Sequence, residues 1–199
     1  FWIKRVNKFP KENKSIILIA NHSSYIDIML MFRMSKKPFV FVGKKELTKI
    51  PFFGYLYKRA AITVDRSSFE SRKEVYKNAI PFINKGYSIC VFPEREYLDE
   101  TILLNQFKRG AFKIAIEHKL PILPIVFLDC KRKFPWYTTH GFPGQLRAKA
   151  LDIIDTNAMN EKNINQLTDI MHKNISKELM HDPQQNAIKA ILVWKKITS

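Results

Sequence analysis

The stretch Ser15-Ile16-Ile17-Leu18-Ile19-Ala20 constrains the fold more than any other part of the chain. Five consecutive apolar residues leave no polar face. A strand built from them must be covered on both sides, as parallel strands are in α/β folds. The same reasoning extends along the chain. Phe39-Val40-Phe41-Val42 and Ile62-Thr63-Val64 are predicted short strands, and a helix is expected from about Ser24 to Met34. Ser68 opens a predicted helix to about Asn84, and Gly86 stands where a helix-ending glycine is expected. Strand Tyr87–Phe92, helix Gly110–His118 and strand Ile122–Leu128 follow, with Pro121 separating the last two. A strand over Leu146–Ile154, a long amphipathic helix over Glu161–Met180 and a terminal helix over Ala187–Ile197 complete the pattern. Alternation of this kind predicts a single α/β domain over 1–199 with a mostly parallel central sheet flanked by helices. The motifs fall within about 15–128, and the C-terminal helical region begins near 160.

Composition sets limits on function. With 46% hydrophobic residues in 199, the chain can build a core, which excludes wholesale disorder. Its 34 Lys and Arg against 18 Asp and Glu leave a formal charge of +16, which asks for an anionic partner. Nucleic acid, a membrane surface and a phosphorylated ligand all qualify. No RNA-recognition signature, zinc spacing or basic heptad is present, so nucleic acid is not expected. Cys90 and Cys130 cannot form a disulfide framework and suit a reducing compartment. The longest apolar run, Leu120–Leu128, carries two prolines and falls short of the roughly 18 residues a spanning helix needs. The chain opens Phe1-Trp2-Ile3 without a methionine, so an upstream segment, with a membrane anchor as one candidate, is expected.

Four segments stand out, three of them with residues that can carry chemistry. The first is Asn21-His22-Ser23-Ser24-Tyr25-Ile26-Asp27, directly after the first strand. Five residues along a helix turn through about 140°, so His22 and Asp27 meet only if His22 lies in the turn before the helix. There Asp27 would orient the imidazole of a general base. The plainer alternative is that Ser24 and Asp27 form a capping box and nothing more. The second segment is Ala61-Ile62-Thr63-Val64-Asp65-Arg66, whose arginine follows a strand and can fork onto a phosphate, or simply pair with Asp65. The third is Val91-Phe92-Pro93-Glu94-Arg95. Twelve residues past Arg95, Phe107-Lys108-Arg109-Gly110 opens a helix with two cations, a plausible anion seat. Glu94 and Arg95 can equally be a surface pair, and Lys108 and Arg109 solvated loop charges. The fourth, Pro121-Ile122-Leu123-Pro124-Ile125, reads as core strand.

Taken in order, N-H-S-S-Y-I-D, I-T-V-D-R, F-P-E, F-K-R-G-A-F and L-P-I-L-P-I resemble the blocks of the glycerolipid acyltransferases, in particular the bacterial lysophosphatidate type. The resemblance is good over about 15–128. It implies a glycerol-3-phosphate/lysophosphatidate acyltransferase-like fold and a fatty acyl transfer from acyl-CoA or acyl carrier protein to the free hydroxyl of a lysophospholipid. Residue by residue it implies His22 as base, Asp27 as its support, and Arg66 and Glu94 at the acceptor. No cofactor is implied beyond the thioester co-substrate. The third block departs from the usual F-P-E-G-T-R-S: Arg95 replaces the glycine and Tyr97 the arginine. Either Arg95 or the Lys108–Arg109 pair then takes over phosphate binding, or the acceptor is another lysolipid, such as an aminolipid. A catalytically inactive basic protein that binds membrane or nucleic acid is the rival from a different class.

Two further expectations concern surroundings. Phe52, Phe53, Tyr55 and Tyr57 lie among Lys44, Lys45, Lys49, Lys58 and Arg59, a pattern suited to an anionic membrane surface, although core packing would use the same rings. The expected location is the cytoplasmic face of a membrane, peripheral or anchored from upstream, with lysophospholipid, acyl thioester and acyl carrier protein as partners. The developing oxyanion needs donors, and backbone amides near the start of the first helix are expected to supply them.

Overall fold

The computed structural model describes residues 1–10, 14–49, 51–65, 69–94, 100–136 and 141–198. Its centre is a seven-stranded sheet in the order β1-β7-β6-β2-β5-β3-β4. The strands are β1 (Trp2–Arg5), β2 (Ile17–Ala20), β3 (Phe39–Lys44), β4 (Ala61–Val64), β5 (Ser88–Val91), β6 (Ile122–Phe127) and β7 (Gln145–Ala150). β2 pairs in parallel with β5 and β6, and β3 in parallel with β4 and β5. β7 runs antiparallel to β6 and takes β1 alongside it in parallel. Five parallel strands are therefore extended at one edge by two that run the other way. The sequence reading had neither β1, half of whose residues are cationic and most exposed, nor the reversal at β7.

Alternate residues of β2 enter different cores, as its unbroken apolar run requires. Ile17 and Ile19 pack with helices α3 (Phe69–Asn84), α4 (Gly110–Glu117) and α6 (Ile164–Met180) on one face. Leu18 and Ala20 pack with α1 (Ile26–Met34) and with Tyr57 of α2 (Phe53–Ala60) on the other. All four β2 residues are buried. α2 lies close over β3 because Gly43 has no side chain there: a Cβ would overlap the Tyr57 hydroxyl. Gly86 takes φ +79 after α3, the left-handed conformation expected of a glycine ending a helix.

Several boundaries move for local reasons. α1 begins at Ile26 rather than Ser24, because Ser24 is engaged in the preceding turn. The strand expected to reach Ile154 ends at Ala150, and the chain touches the sheet again only at an antiparallel bridge between Ile122 and Ile154. α6 begins at Ile164 behind a short 3-10 turn, Glu161–Asn163, held by a capping box between Asn160 and Asn163.

The C-terminal helices are fastened by a buried charge cluster. Arg147 of β7 donates to Asp129 Oδ1 at 2.6 Å and to Asp182 Oδ1 at 2.7 Å, and all three side chains are nearly inaccessible. Asn186, at the start of α7 (Asn186–Thr198), donates to Asp129 Oδ1 at 2.6 Å. Burial alone would raise the Asp182 carboxyl, but the bonds and charge of Arg147 outweigh it and hold the group below its ordinary 3.8. Because the folded value is lowered, this contribution is complete above about pH 4 and is lost as pH falls through the depressed value. Asp182→Asn weakens two charge-assisted bonds but leaves Arg147 paired with Asp129, so it is expected to cost about 1.5–3 kcal/mol in denaturant unfolding at pH 7. The gap between variant and wild type should narrow steadily below pH 4, and a gap that persists undiminished into strong acid would mean the pair contributes nothing.

Candidate active site

Register brings the site together. Ile19 of β2 lies opposite Val91 of β5 and Pro124 of β6, so β2 and β5 end within one residue of each other at their carboxyl edge and β6 runs two residues past β2. This is the edge at which open α/β sheets place ligands. His22 and Glu94 each stand three residues beyond a paired residue, and the His22 amide donates to Glu94 Oε1 at 2.6 Å. On the other side, the Asn21 carboxamide closes both bonds with the Phe127 backbone, Nδ2 to O at 3.0 Å and N to Oδ1 at 2.8 Å. The turn carrying His22 is thus tied to both neighbouring strands.

Within that turn, His22 does fold back over the helix start. Its Nδ1 lies 3.0 Å from Asp27 Oδ2. The same oxygen accepts from the Ser23 amide at 2.7 Å and the Ser24 amide at 2.8 Å. Asp27 makes its half of the expected capping box by accepting from the Ser24 amide, whereas Ser24 Oγ meets the Ile26 amide and not that of Asp27, and the same carboxylate oxygen also orients a histidine. An acceptor carboxylate at Nδ1 places the proton there and leaves Nε2 as the basic nitrogen. The imidazole stacks on Phe92, centroids 4.0 Å apart and planes 13° from parallel, and Phe92 stacks in turn on Phe41. Ring plane and tautomer are both fixed.

Of the helix-start amides expected to receive an oxyanion, five are committed within the protein. Those of His22, Ser23 and Ser24 go to Glu94 and Asp27, that of Ile26 to Ser24 Oγ, and that of Asp27 to the Ser24 carbonyl. A fully buried carboxylate consumes donors that would otherwise face outward. Ser24 Oγ donates to the Phe134 carbonyl.

Glu94 is buried and spends both oxygens on the protein, Oε1 on the His22 amide and Oε2 on the Asn105 amide at 2.9 Å and its side chain at 3.3 Å. Burial pushes its carboxyl up, against the pull of those donors and of His22. Both cysteines are fully buried. Burial raises the Cys90 and Cys130 thiols well above the ordinary value, and at Cys130 the charge of nearby Asp27 adds to it. Neutral, enclosed thiols of this kind are not poised as nucleophiles.

His22 and Glu94 line one cleft of about 280 Å³, counting the open space at its mouth, together with Asn21, Ser23, Asn105 and Trp136. Glu100, Leu103 and Lys131 complete its wall. Arg66, and Arg95 with Tyr97, lie outside the described residues. Lys108 and Arg109 are exposed and do not line the cleft: Arg109 donates to Asn165 of α6 at 3.3 Å. Sequence reasoning missed Asn105 and Lys131. Lys131 sits in the charge run Lys131-Arg132-Lys133, which reads as solvated, yet its ammonium is buried and donates to the Ile102 carbonyl at 2.6 Å, with Glu100 Oε2 at 3.9 Å. The available signal was position, since Lys131 follows a buried strand at the same edge as His22 and Glu94.

The family model described as Acyltransferase matches residues 3–128. The chain belongs to the acyltransferase family. It is 33% identical over 165 residues to the 1-acyl-sn-glycerol-3-phosphate acyltransferase of Cocos nucifera, covering 80% of this chain and 52% of that protein. To the 1-acyl-sn-glycerol-3-phosphate acyltransferase of Haemophilus influenzae it is 31% identical over 185 residues, covering 88% and 76%. This acyltransferase-family chain thus spans about half the length of the first relative and three quarters of the second. The crystal structure of the 1-acyl-sn-glycerophosphate acyltransferase PlsC from Thermotoga maritima superposes with a TM-score of 0.73 at 22% identity, over 91% of this chain and 73% of that one. That likeness establishes the fold, and it agrees with the mostly parallel sheet read from the sequence.

Glu94→Gln tests how the site is braced. The amide keeps one acceptor and turns the other position into a donor facing a donor. A loss of about 1–3 kcal/mol in unfolding free energy is expected. Unchanged stability would mean that the His22 and Asn105 bonds to Glu94 hold nothing in place.

Proposed function

We propose that the protein is an O-acyltransferase that moves a fatty acyl group from acyl-CoA or acyl carrier protein to the free hydroxyl of a lysophospholipid, with lysophosphatidate the favoured acceptor and phosphatidate the product. The His22–Asp27 contact carries this reading, because it sets a histidine as base at the mouth of a cleft in a chain of the acyltransferase family. The relatives' names support the acceptor class. His22 Nε2 takes the acceptor hydroxyl proton as the oxygen attacks the thioester carbonyl. Collapse of the tetrahedral intermediate breaks the C–S bond, and the imidazolium returns its proton to the departing sulfur. The neutral, buried state of Cys90 and Cys130 supports direct transfer without an acyl-cysteine.

For the acceptor's phosphate we assign Lys131, the lysine among the described residues lining the cleft. A phosphate monoester drawn into a partly enclosed cleft requires a cation. Arg66 and Arg95 remain the candidates that the resemblance and the altered third block imply. The aminolipid alternative keeps the same base and differs only in the headgroup.

The activity is tested by incubating the protein with lysophosphatidate and an acyl thioester and weighing the lipid product by mass spectrometry. His22→Ala is expected to lower turnover by about 10²–10⁴ while leaving the circular dichroism spectrum unchanged. Wild-type turnover in that variant would remove His22 as the base, and transfer to an aminolipid acceptor but not to lysophosphatidate would favour the alternative.

The acceptor resides in membranes, and the surface suits one. Among the described residues no helix is long and apolar enough to cross a bilayer. Phe52 is 94% exposed at the start of α2, with Tyr55 exposed one turn on and Arg59 stacked over its ring at 4.9 Å. Tyr57, by contrast, is core. Tyr25, Met29 and Phe32 are exposed along α1, which packs on the same sheet face as α2. Each cation near an anionic surface contributes about 1 kcal/mol, decaying within a Debye length of roughly 8–10 Å. Sedimentation should therefore show binding to anionic vesicles that weakens steeply with salt, and little binding to neutral ones. Phe52→Ser combined with Lys58→Glu and Arg59→Glu should weaken it further. Equal, salt-independent affinity for both vesicle types would mean that the charge serves another partner.

A further inference from the structure

The proposed reaction passes through an oxyanion, and five backbone amides beside the base are already committed. The amides of His22, Ser23, Ser24, Ile26 and Asp27 all donate within the protein. Three polar side chains at the cleft have protein partners: Asn21 with the Phe127 backbone, Asn105 with Glu94, and Lys131 with the Ile102 carbonyl, the lysine keeping further N–H donors for the acceptor's phosphate. One hydroxyl stands apart. Ser23 Oγ is buried, belongs to a residue lining the cleft, and has no hydrogen-bond partner among the described residues. A buried hydroxyl without a partner costs stability, and such groups are kept where chemistry uses them. Ser23 is also the residue next to the base. Its amide is pinned by Asp27, so the backbone that carries the hydroxyl is fixed by the same oxygen that orients His22.

We propose that the Ser23 hydroxyl is a catalytic donor to the thioester carbonyl oxygen, an assignment that rests on the acyl-transfer reading above. As the acceptor oxygen forms its bond to the carbonyl carbon, its proton passes to His22 and the carbonyl π pair moves onto the oxygen. Ser23 donates a hydrogen bond to that oxyanion and keeps its own proton. When the C–S bond breaks, its electron pair leaves with sulfur, which takes the proton from the imidazolium, and the carbonyl re-forms away from Ser23. The serine thus serves charge that exists only in the transition state and intermediate. A donor of that kind acts on kcat rather than on the binding of either substrate.

The test uses the whole chain with lysophosphatidate and an acyl thioester. Ser23→Ala is expected to lower kcat by about 10²–10³ with both KM values within about twofold. Its melting temperature should be unchanged or higher, because an unsatisfied hydroxyl has been removed. Ser23→Thr, which restores a hydroxyl, should recover part of the loss. Wild-type kcat in Ser23→Ala overturns the proposal. So does a raised acceptor KM with kcat preserved, which would make Ser23 a binding group, and so does a lowered melting temperature that Thr restores in step with activity, which would make it structural. Absence of acyl transfer in the wild-type protein itself would instead overturn the functional reading and this assignment with it.

Discussion

A carboxylate with no solvent exposure must find its partners inside the protein, and Asp27 finds three at a single oxygen. Two are amides from the turn that carries His22, and the third is the imidazole itself. An isolated charge at that depth would cost several kcal/mol, so the turn cannot relax away from Asp27 without exposing it to that cost. Other features follow in sequence. Ser24, held at its amide by Asp27, turns its hydroxyl to the Phe134 carbonyl, and α1 starts only at Ile26. His22, held at Nδ1, presents its ring face to Phe92 at the end of β5. Its amide then reaches Glu94 two residues further along that strand's exit, which fixes the 105 region through Asn105.

How much of this was legible depended on sequence distance. The β2 run disclosed a strand covered on both faces because its periodicity is local. The spacing of His22 and Asp27 disclosed a contact only if the histidine left the helix, and the chain alone could not say whether the aspartate capped or oriented. It does both through one oxygen, so the two readings were never exclusive. Glu94 could be placed at the same edge as His22, but its direct bond to the His22 amide depends on the pairing of Ile19 with Val91. Lys131 and Arg147 were illegible for a related reason. Each is a cation in a charged stretch, and each is buried by partners up to 35 positions away that no local pattern announces. The commitment of helix-start amides was hidden by the same limit: counting donors is local, but knowing that buried Asp27 and Glu94 had already taken three of them is not.

Charge operates on two separate scales. The formal +16 belongs to the whole chain, whereas the cleft around His22 presents Glu94 and Glu100 beside Lys131. Glu94 is saturated by protein donors, so its negative charge is largely spent on architecture. The exposed cations of α2 act over a Debye length and are screened by salt. Lys131, shielded from water, acts at contact distance and is screened much less. On the proposed reading, attraction to an anionic surface and selection of an anionic headgroup therefore fall to different residues, and the first says little about the second.

The turn after β6 joins these levels. Asp129, Cys130 and Lys131 are consecutive, and each faces a different part of the molecule. Asp129 takes the Arg147 fork and the Asn186 amide, which anchors the turn to β7 and the head of α7. Cys130 lies buried near Asp27, so it packs under the dyad. Lys131 enters the cleft and holds the Ile102 carbonyl, in the segment that also supplies Asn105 to Glu94. Helices α6 and α7 lie outside the motif-bearing region, and among the described residues none of theirs lines the cleft. Through Asp182 and Asn186 they nonetheless fix the one turn on which the floor of the dyad and the cation of the cleft are both mounted. An imidazole held in one orientation needs a rigid floor, and here part of that floor is set by residues more than fifty positions further along the chain.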